Sequence, residues 1–445
     1  MEADVDQVNL TRFSLFFPEK RQFFQERSGV FEVSTGGLLD NGLLFHSRRV
    51  GLDEQGLPLR IYGGARVVGR SGGWDIGLLN MQTDVPAGGG TENLGVLSLR
   101  RRVLNQESTA GLLLTTRFGA QGGRNVTWGI DTRLRVLADD YLVAQVAGTE
   151  AAGAPGGTDA SMARIALERP STLSSKGFGY VAGVKWSGPA FNPGLGFQPR
   201  ADFTQAYANV RYGVFPGPSN PIRVIQPSVA LASFWRNTDN ALETFFGAFF
   251  LNYELKSGVN GWLGGTRRIE DLIVPLPLGN DVVVPTGRHV WHDMQIGVFP
   301  SNGRVLQAGI LLSTGGFYDG TRRALSTRVA WSPSAHLTLE ANYDRQALRF
   351  ASRGQTLNPD VAQLRVQYAL DTRLSVSSLL QYNRLAKQTA GNLRIRYRFS
   401  EGRDLFVVWN ERLNLDLDRE APGVPPLPRS LGRTLQIKYS HTFIR

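Results

Sequence analysis

Residues 392–399 read Asn-Leu-Arg-Ile-Arg-Tyr-Arg-Phe and alternate without a break. Leu393, Ile395, Tyr397 and Phe399 share one parity, and Arg394, Arg396 and Arg398 share the other. Successive side chains of a β-strand point to opposite faces, so this strand has one apolar, aromatic face and one cationic face. The pattern recurs along the chain. Val126, Trp128, Ile130, Leu134 and Val136 oppose Asp131, Arg133 and Arg135, and Leu364, Val366, Tyr368 and Leu370 oppose Gln363, Arg365 and Gln367. Leu337, Leu339 and Tyr343 oppose His336, Glu340 and Asn342, and the last segment sets Leu435, Ile437, Tyr439 and Phe443 against Gln436, Lys438 and Thr442. A sheet built this way needs two different surroundings, one on each side.

A soluble sandwich also alternates, with its polar face in water. The segments here are longer, about 10–14 residues against a usual mode of about 5–6, and there are about 20 of them. Their connections also alternate in length. Tight turns fall near Ser71-Gly72, Asn105-Gln106, Asp139-Asp140, Ser301-Asn302, Pro333-Ser334, Asp371-Thr372 and Glu401-Gly402. Longer loops fall at 84–91, 149–158, 188–200, 269–287, 351–360 and 415–430. Short turns on one rim and long loops on the other are the pattern of an outer-membrane barrel. A lipid-exposed sheet must satisfy every backbone group internally, so it has to close. The expected fold is therefore all-β, a single antiparallel transmembrane β-barrel of about 22 strands, with 20 as the second choice. Its apolar parity would face lipid, and Trp74, Trp128, Trp186, Trp331 and Trp409 would supply interfacial aromatics. The Arg-rich parity, including Arg133, Arg135, Arg365, Arg394, Arg396 and Arg398, would line the lumen.

Composition supports this and excludes other classes. No apolar run reaches the 18 or more residues of a transmembrane helix; the longest, 245–251, has strand length. The chain has no Cys, which removes disulfides, thiolate metal sites and Cys nucleophiles. Its net charge is +11, but the Arg residues are spread along the chain and the densest run is only Arg100-Arg101-Arg102, so nucleic acid is not an expected partner. The opening Met-Glu-Ala-Asp-Val-Asp is acidic and is no signal peptide. An export signal is expected upstream, which would make the chain a fragment.

Catalytic constellations do not assemble. His289 and His292 are three residues apart on a strand, so they face opposite sides and cannot chelate one ion; His292 and Asp293 diverge likewise. His46 and Ser47 are also neighbours that diverge, without an orienting group. Gly-rich 63–73 lacks the phosphate-cradling spacing, and its glycines are expected to relieve crowding where strands bend or an inner segment approaches. No catalytic, cofactor or metal residues are assigned. Rings of Arg favour anions in pores, but lumenal carboxylates could equally neutralise them.

Residues 1–42 precede the alternation and are expected to form a separate plug-like or periplasmic-rim segment, with 43–445 as the barrel. Within it, Phe-Phe-Pro-Glu-Lys-Arg-Gln-Phe-Phe-Gln-Glu (16–26) combines two aromatic pairs with dense charge. A wide barrel is usually plugged, and a plug meets polar walls on one side and its own packing on the other. On this reading Glu19 and Glu26 pair with Arg48, Arg49, Arg66 or Arg70, while Lys20 and Arg21 meet lumenal carboxylates. Otherwise the Phe residues pack at the rim against an upstream domain.

Several stretches resemble one bacterial family: NLTRFSLFFPEKRQFFQE (9–26), LFHSRRVG (44–51), IYGGARVVGRSGGWDIGLLNMQT (61–83), GFYDGTRR (316–323), VAWSPSAHLTLEANYDR (329–345), GRDLFVVWNE (402–411) and LQIKYSHTFIR (435–445). The family is an uncharacterised outer-membrane barrel domain, often found behind a carbohydrate-binding family 9-like domain. The resemblance implies an outer-membrane location, the bilayer as a partner and a C-terminal strand read by the barrel-assembly machinery. It implies no reaction and no cofactor. The expected function is a non-enzymatic barrel that passes or docks a solute, saccharide-related or anionic, or anchors an upstream binding domain. The alternatives are a hydrolase with a rim active site and a scaffold for envelope proteins.

Overall fold

The computed structural model describes residues 4–442 apart from 54, 55, 57, 86–89, 120, 121, 280, 281, 302 and 417–427. Most of loop 415–430, part of loop 84–91 and the terminal Phe443-Ile444-Arg445 therefore lie outside the described residues.

The chain is a single meander. It begins with β1 (Ile61–Ser71), β2 (Trp74–Asp84), β3 (Thr91–Arg102), β4 (Thr109–Gly119), β5 (Arg124–Leu137), β6 (Asp140–Ala151), β7 (Ser161–Arg169) and β8 (Gly177–Ser187). It continues with β9 (Phe203–Gly213), β10 (Ile222–Arg236), β11 (Leu242–Leu255), β12 (Asn260–Leu272), the short hairpin β13 (Leu276–Gly279) and β14 (Val282–Val284), and β15 (Gly287–Phe299). The last part holds β16 (Leu306–Phe317), β17 (Gly320–Trp331), β18 (Leu337–Phe350), β19 (Gln355–Leu357), β20 (Asp360–Ala369), β21 (Leu374–Asn383), β22 (Gln388–Ser400), β23 (Arg403–Asn414) and β24 (Ser430–His441).

All but β13 and β14 join one sheet of 22 strands, in which each long strand pairs antiparallel with its neighbours in sequence. β19 has three residues and pairs with the end of β18, in line with β20. Among the described residues that leaves 21 strands that cross the sheet from rim to rim. β1 and β24 form its two edges. The tight turns read from the sequence all follow odd-numbered crossings and sit on one rim. The longer loops all follow even-numbered crossings and sit on the other.

Parity sorts the faces as the alternation requires. On β2, Leu79 and Met81 are buried while Leu78 between them and the edge is exposed. Trp128 and Ile130, Phe249 and Leu251, Met294 and Ile296, and Leu380 and Tyr382 are exposed on the outer parity. Trp74 and Trp331 are exposed on that face at the turn rim.

The first strand starts at Ile61, later than the Leu43 boundary that the sequence suggests. Leu44, Phe45 and Val50 belong to the inner core instead, packed with Phe24, Phe31 and Val33 against Leu79, Leu94, Val96, Leu113 and Ala147. Leu44 and Phe45 are apolar on both parities, which suits an internal segment and not a two-faced strand. Further along, Leu38 packs among Tyr207, Ala230 and Phe234, and Leu10 among Leu272, Trp291, Phe317 and Leu348. The segment ahead of β1 thus lies across the lumen and touches strands all around it.

Glycine marks the closest approaches, but not in 63–73, where Gly63, Gly69, Gly72 and Gly73 have nothing near a would-be Cβ and Gly64 meets Met81 of the next strand. The inner segment comes in elsewhere. A Cβ on Gly77 would meet the Phe31 ring at 2.7 Å, and one on Gly129 would meet Leu44 Cδ1 at 2.4 Å. Gly77→Val and Gly129→Leu should each cost about 1–3 kcal/mol by overpacking. Gly69→Val, in open space on a strand, should be neutral. Urea unfolding in detergent checks this, and equal midpoints for all three variants would remove the inner segment from the lumen.

Candidate functional site: the occupied lumen

The charged residues of the inner segment are held largely by backbone and by each other. Arg21 makes a bidentate bond to Glu19, with Nε to Oε1 at 2.9 Å and Nη2 to Oε2 at 2.7 Å. The same guanidinium donates to the carbonyls of Val50 at 2.6 Å and Ser47 at 2.7 Å, and the Ser47 hydroxyl donates to Glu19 at 2.7 Å. Arg48 bonds Asp4 (3.1 Å from Nη1), and Lys20 reaches the same carboxylate at 3.5 Å. The sequence predicts that these charges meet the barrel wall; here Glu19 closes on Arg21, and Lys20 and Arg48 share Asp4 of the same segment. The physical reason is chain proximity: Glu19 and Arg21 are two residues apart in a turn that leads into the helical turn Gln22–Gln25. Glu26 uses its carbonyl, which accepts from Arg66, and not its carboxylate. Arg66 also donates to the Phe23 carbonyl at 2.6 Å, so this wall arginine does hold the segment. Arg49 donates to the Gly196 carbonyl at 3.2 Å, and Arg70 pairs with Asp75 on the adjacent strand at 2.5 Å.

The four Phe separate by role. Phe16 lies tilted against His46, with ring centroids 5.0 Å apart, and meets Phe197 edge-on at 5.3 Å. Phe17 lies under Arg48, and Phe24 is buried under Arg21 at 4.2 Å. Phe23 stays exposed, edge-on to Phe24.

Two ionic anchors fasten the segment to the wall, at residues that the alternation alone does not distinguish. At the first, Arg12 donates to Glu243 at 2.6 Å, Glu270 at 3.0 Å and Thr244 at 3.1 Å. Arg200, from loop 188–202, grips the same Glu243 at 2.7 Å and Thr244 at 3.0 Å and lies over Phe234. Burial lowers the Arg200 pKa to about 10, partly offset by Glu243, so it is still charged at neutral pH. At the second anchor, Lys185 of β8 is fully buried and bonds Asp40 and the Thr35 hydroxyl, the latter at 2.9 Å. A lone Lys on the inner parity of "YVAGVKWS" was the available sequence signal.

The predicted lumen-lining arginines mostly meet carboxylates or rings. Arg133 bonds Glu168 at 2.8 Å and covers Tyr141 at 3.5 Å. Arg135 lies at the turn rim near Glu107 and Asp139, at 3.5 and 3.6 Å. Arg396 and Arg398 share Asp404 at 2.9 and 3.3 Å, and Arg394 covers Phe406 at 4.7 Å. Arg365 lines a cavity of about 760 Å³ between Val5–Val8 of the segment and the wall of β16–β21. Its other polar lining includes the Arg328–Glu340 ion pair at 2.9 Å, Asp344 and the amides of Asn342, Gln363 and Gln367. His289 points inward against Tyr318 and His292 is exposed on the outer face, so they diverge as their spacing requires. Among the described residues no group of three or more His, Asp or Glu is placed to hold a metal ion.

Removing one partner of the buried Lys185–Asp40 pair leaves the other charge without compensation, which costs about 3–5 kcal/mol. Lys185→Met should lose that stability in urea unfolding, and the double variant Lys185→Met/Asp40→Leu should recover most of it. An unchanged single variant would mean that the pair is solvated.

Acid should loosen the segment in two steps. Burial, helped by Arg48, holds the His46 pKa at about 4, below its usual 6.5. The unfolded chain then binds more protons between those values, so stability is full above 6.5 and falls as pH drops toward 4. For Glu19, burial pushes the pKa up, but the bonds from Arg21 and Ser47 outweigh it and bring it to about 2. Its contribution is full above about 4.5 and is lost as pH falls through 2. Thermal unfolding against pH should show both windows, and His46→Phe, which keeps the ring contact, should abolish only the upper one.

Comparison with known proteins gives the fold. No protein-family profile and no curated protein matches the chain. Among solved structures, it is similar to the copper transporter OprC, with 13% identity, a TM-score of 0.53 and coverage of 88% of this chain and 81% of that one. It is also similar to the ferric enterobactin receptor PfeA of Pseudomonas aeruginosa in a mutant form, with 12% identity, a TM-score of 0.51 and coverage of 85% and 77%. The same receptor in complex with BCV-L6 gives 11% identity, a TM-score of 0.54 and coverage of 85% and 78%. The shared feature is the large antiparallel barrel.

Proposed function

We propose that this chain is a non-enzymatic outer-membrane barrel that holds its own N-terminal segment in the lumen and passes or docks a solute in the cavity beside it. The observation that carries the reading is the pair of ionic anchors, Arg12 to Glu243 and Glu270 and Lys185 to Asp40. They fix an irregular segment to the polar inner face of a sheet whose outer face is apolar. Irregular backbone at membrane depth is tolerated where protein encloses it. The structural neighbours, a copper transporter and a ferric enterobactin receptor, are of the same general kind.

The cavity favours a polar organic solute over a soft metal ion. Its lining combines amides with both signs of charge and includes no His, Met or Cys, the side chains that copper prefers. A simple anion filter fits less well, because the lumenal arginines are largely neutralised by Asp404, Glu168 and Glu340. A saccharide suits such a lining, and the resemblance to a barrel domain that often follows a carbohydrate-binding domain points the same way. The assembly machinery would act on the C-terminal strand.

Planar-bilayer conductance tests the reading. The native chain should be silent or nearly so, and Arg12→Ala/Asp40→Asn, which releases both anchors, should open steps of current. If a correctly folded double variant stays silent, the barrel's own side chains seal the lumen, and an anchoring or scaffolding role replaces transport.

A further inference from the structure

The outer face carries one cluster of charge that its apolar pattern does not explain. On β17 and β18, Arg323, Arg345 and Arg349 share the parity of Leu325, Val329 and Tyr343 and are exposed. Arg267 on β12 and Arg288 on β15 are exposed on the same face. None of the five has an ion pair or a side-chain hydrogen bond among the described residues. Several outward-facing charges elsewhere are paired, as Arg169 with Asp140, Arg124 with Glu150 and Arg433 with Glu411, and the exposed outer Arg101 lies over the Trp74 ring at the turn rim. The residue across from Arg345 is Asp360, but that carboxylate is buried and paired with Arg384 at 3.1 Å.

The cluster occupies the half of the barrel nearest the long loops. Arg349 sits opposite Thr321 at the start of β17, with Arg323 and then Arg345 successively deeper. Just below it, the outer surface is indented by a groove of about 570 Å³. Leu263, Met294, Ile296, Leu312 and Leu325 form its apolar wall, and Arg323 and Arg345 line it too, beside Thr314. Unpaired arginine on a lipid-facing strand is costly, and the cost grows with depth. An anion at the head of the groove would remove it.

We propose that this surface binds a phosphorylated lipid of the leaflet on the long-loop side. An acyl chain would lie in the groove, and Arg323 and Arg345 would clasp the phosphate, with Arg349 adding positive charge toward the rim. The guanidinium fork matches phosphate geometry, and the bond is charge-assisted on both sides. The apolar wall separates this ligand from a free phosphate ion, which would have no use for it. The inference rests on the outer-membrane reading above.

The test uses the full chain reconstituted in phosphatidylcholine vesicles and then extracted for native mass spectrometry with lipid A, which carries phosphates, or with dephosphorylated lipid A. Native protein should retain lipid A and lose it about tenfold or more in Arg323→Gln/Arg345→Gln, since each charge-assisted bond is worth about a factor of ten. Arg433→Gln, at a paired outward site, should retain lipid A as the native chain does. Equal retention of the dephosphorylated lipid, or of lipid A by the double variant, overturns the proposal. Displacement by millimolar inorganic phosphate overturns it too, in favour of a simple anion site. Failure of the native chain to insert into vesicles at all would sink the membrane reading itself, a result distinct from insertion without lipid selectivity.

Discussion

Everything in this structure follows from the backbone's need for hydrogen-bond partners where water is absent. A sheet whose outer face meets hydrocarbon must satisfy its N–H and C=O groups along its own ladders. The chain does so by the simplest connectivity, with each long strand bonded to its neighbours in sequence. Because side chains alternate, the same ladder fixes two surfaces at once. Placing Leu78, Trp128 or Ile296 outside necessarily places Leu79, Gly129 or Gln295 inside.

The inner surface then poses the opposite problem. Charged side chains on the inward-facing wall lose part of their hydration, and an uncompensated charge there is expensive. The structure answers it with short, directional pairs between neighbouring strands, as at Arg133–Glu168 and Arg396–Asp404. Where the wall alone lacks a counter-charge, the N-terminal segment supplies one, Asp40 for Lys185 and Arg12 for Glu270, and Arg12 joins Arg200 of the wall on Glu243. The segment is thus part of the wall's electrostatics as well as its filling. The apolar clusters around Phe31, Leu38 and Leu10 show how it can also be packed.

How legible this was depended on the range of the interaction. Alternation is local, so the strands, their two faces and the rim each connection occupies could be read directly, and the divergence of His289 and His292 followed from spacing alone. The start of the barrel could not. Leu44 and Phe45 look like the beginning of a strand, and only the enclosed core shows why both are buried. The partners of Glu19, Arg48 and Arg70 were also out of reach. Arg48 meets Asp4 across a fold of the segment, while Arg70 meets Asp75 through the register of one hairpin, and residue types do not encode which of several nearby carboxylates wins. The outer arginines lay in plain view: in "GTRRALSTRVAW" two adjacent Arg must face opposite sides, so one of them has to point at lipid.

The number of crossings has a topological consequence. With 21 passes, β1 begins at the long-loop rim and β24 finishes at the turn rim. The two edge strands therefore run in the same direction, and a seam between them would be parallel, with slanted bonds, in an otherwise antiparallel cylinder. Asp4 already lies within the cylinder, bonded to Arg48 and, through its carbonyl, to Gln381. A sequence joined ahead of it would set out from inside the wall, like a thread from within a bead. A tether on that end and a tether on the other would leave the protein by different routes, and pulling on the first would act on the bore's contents before it acted on the wall.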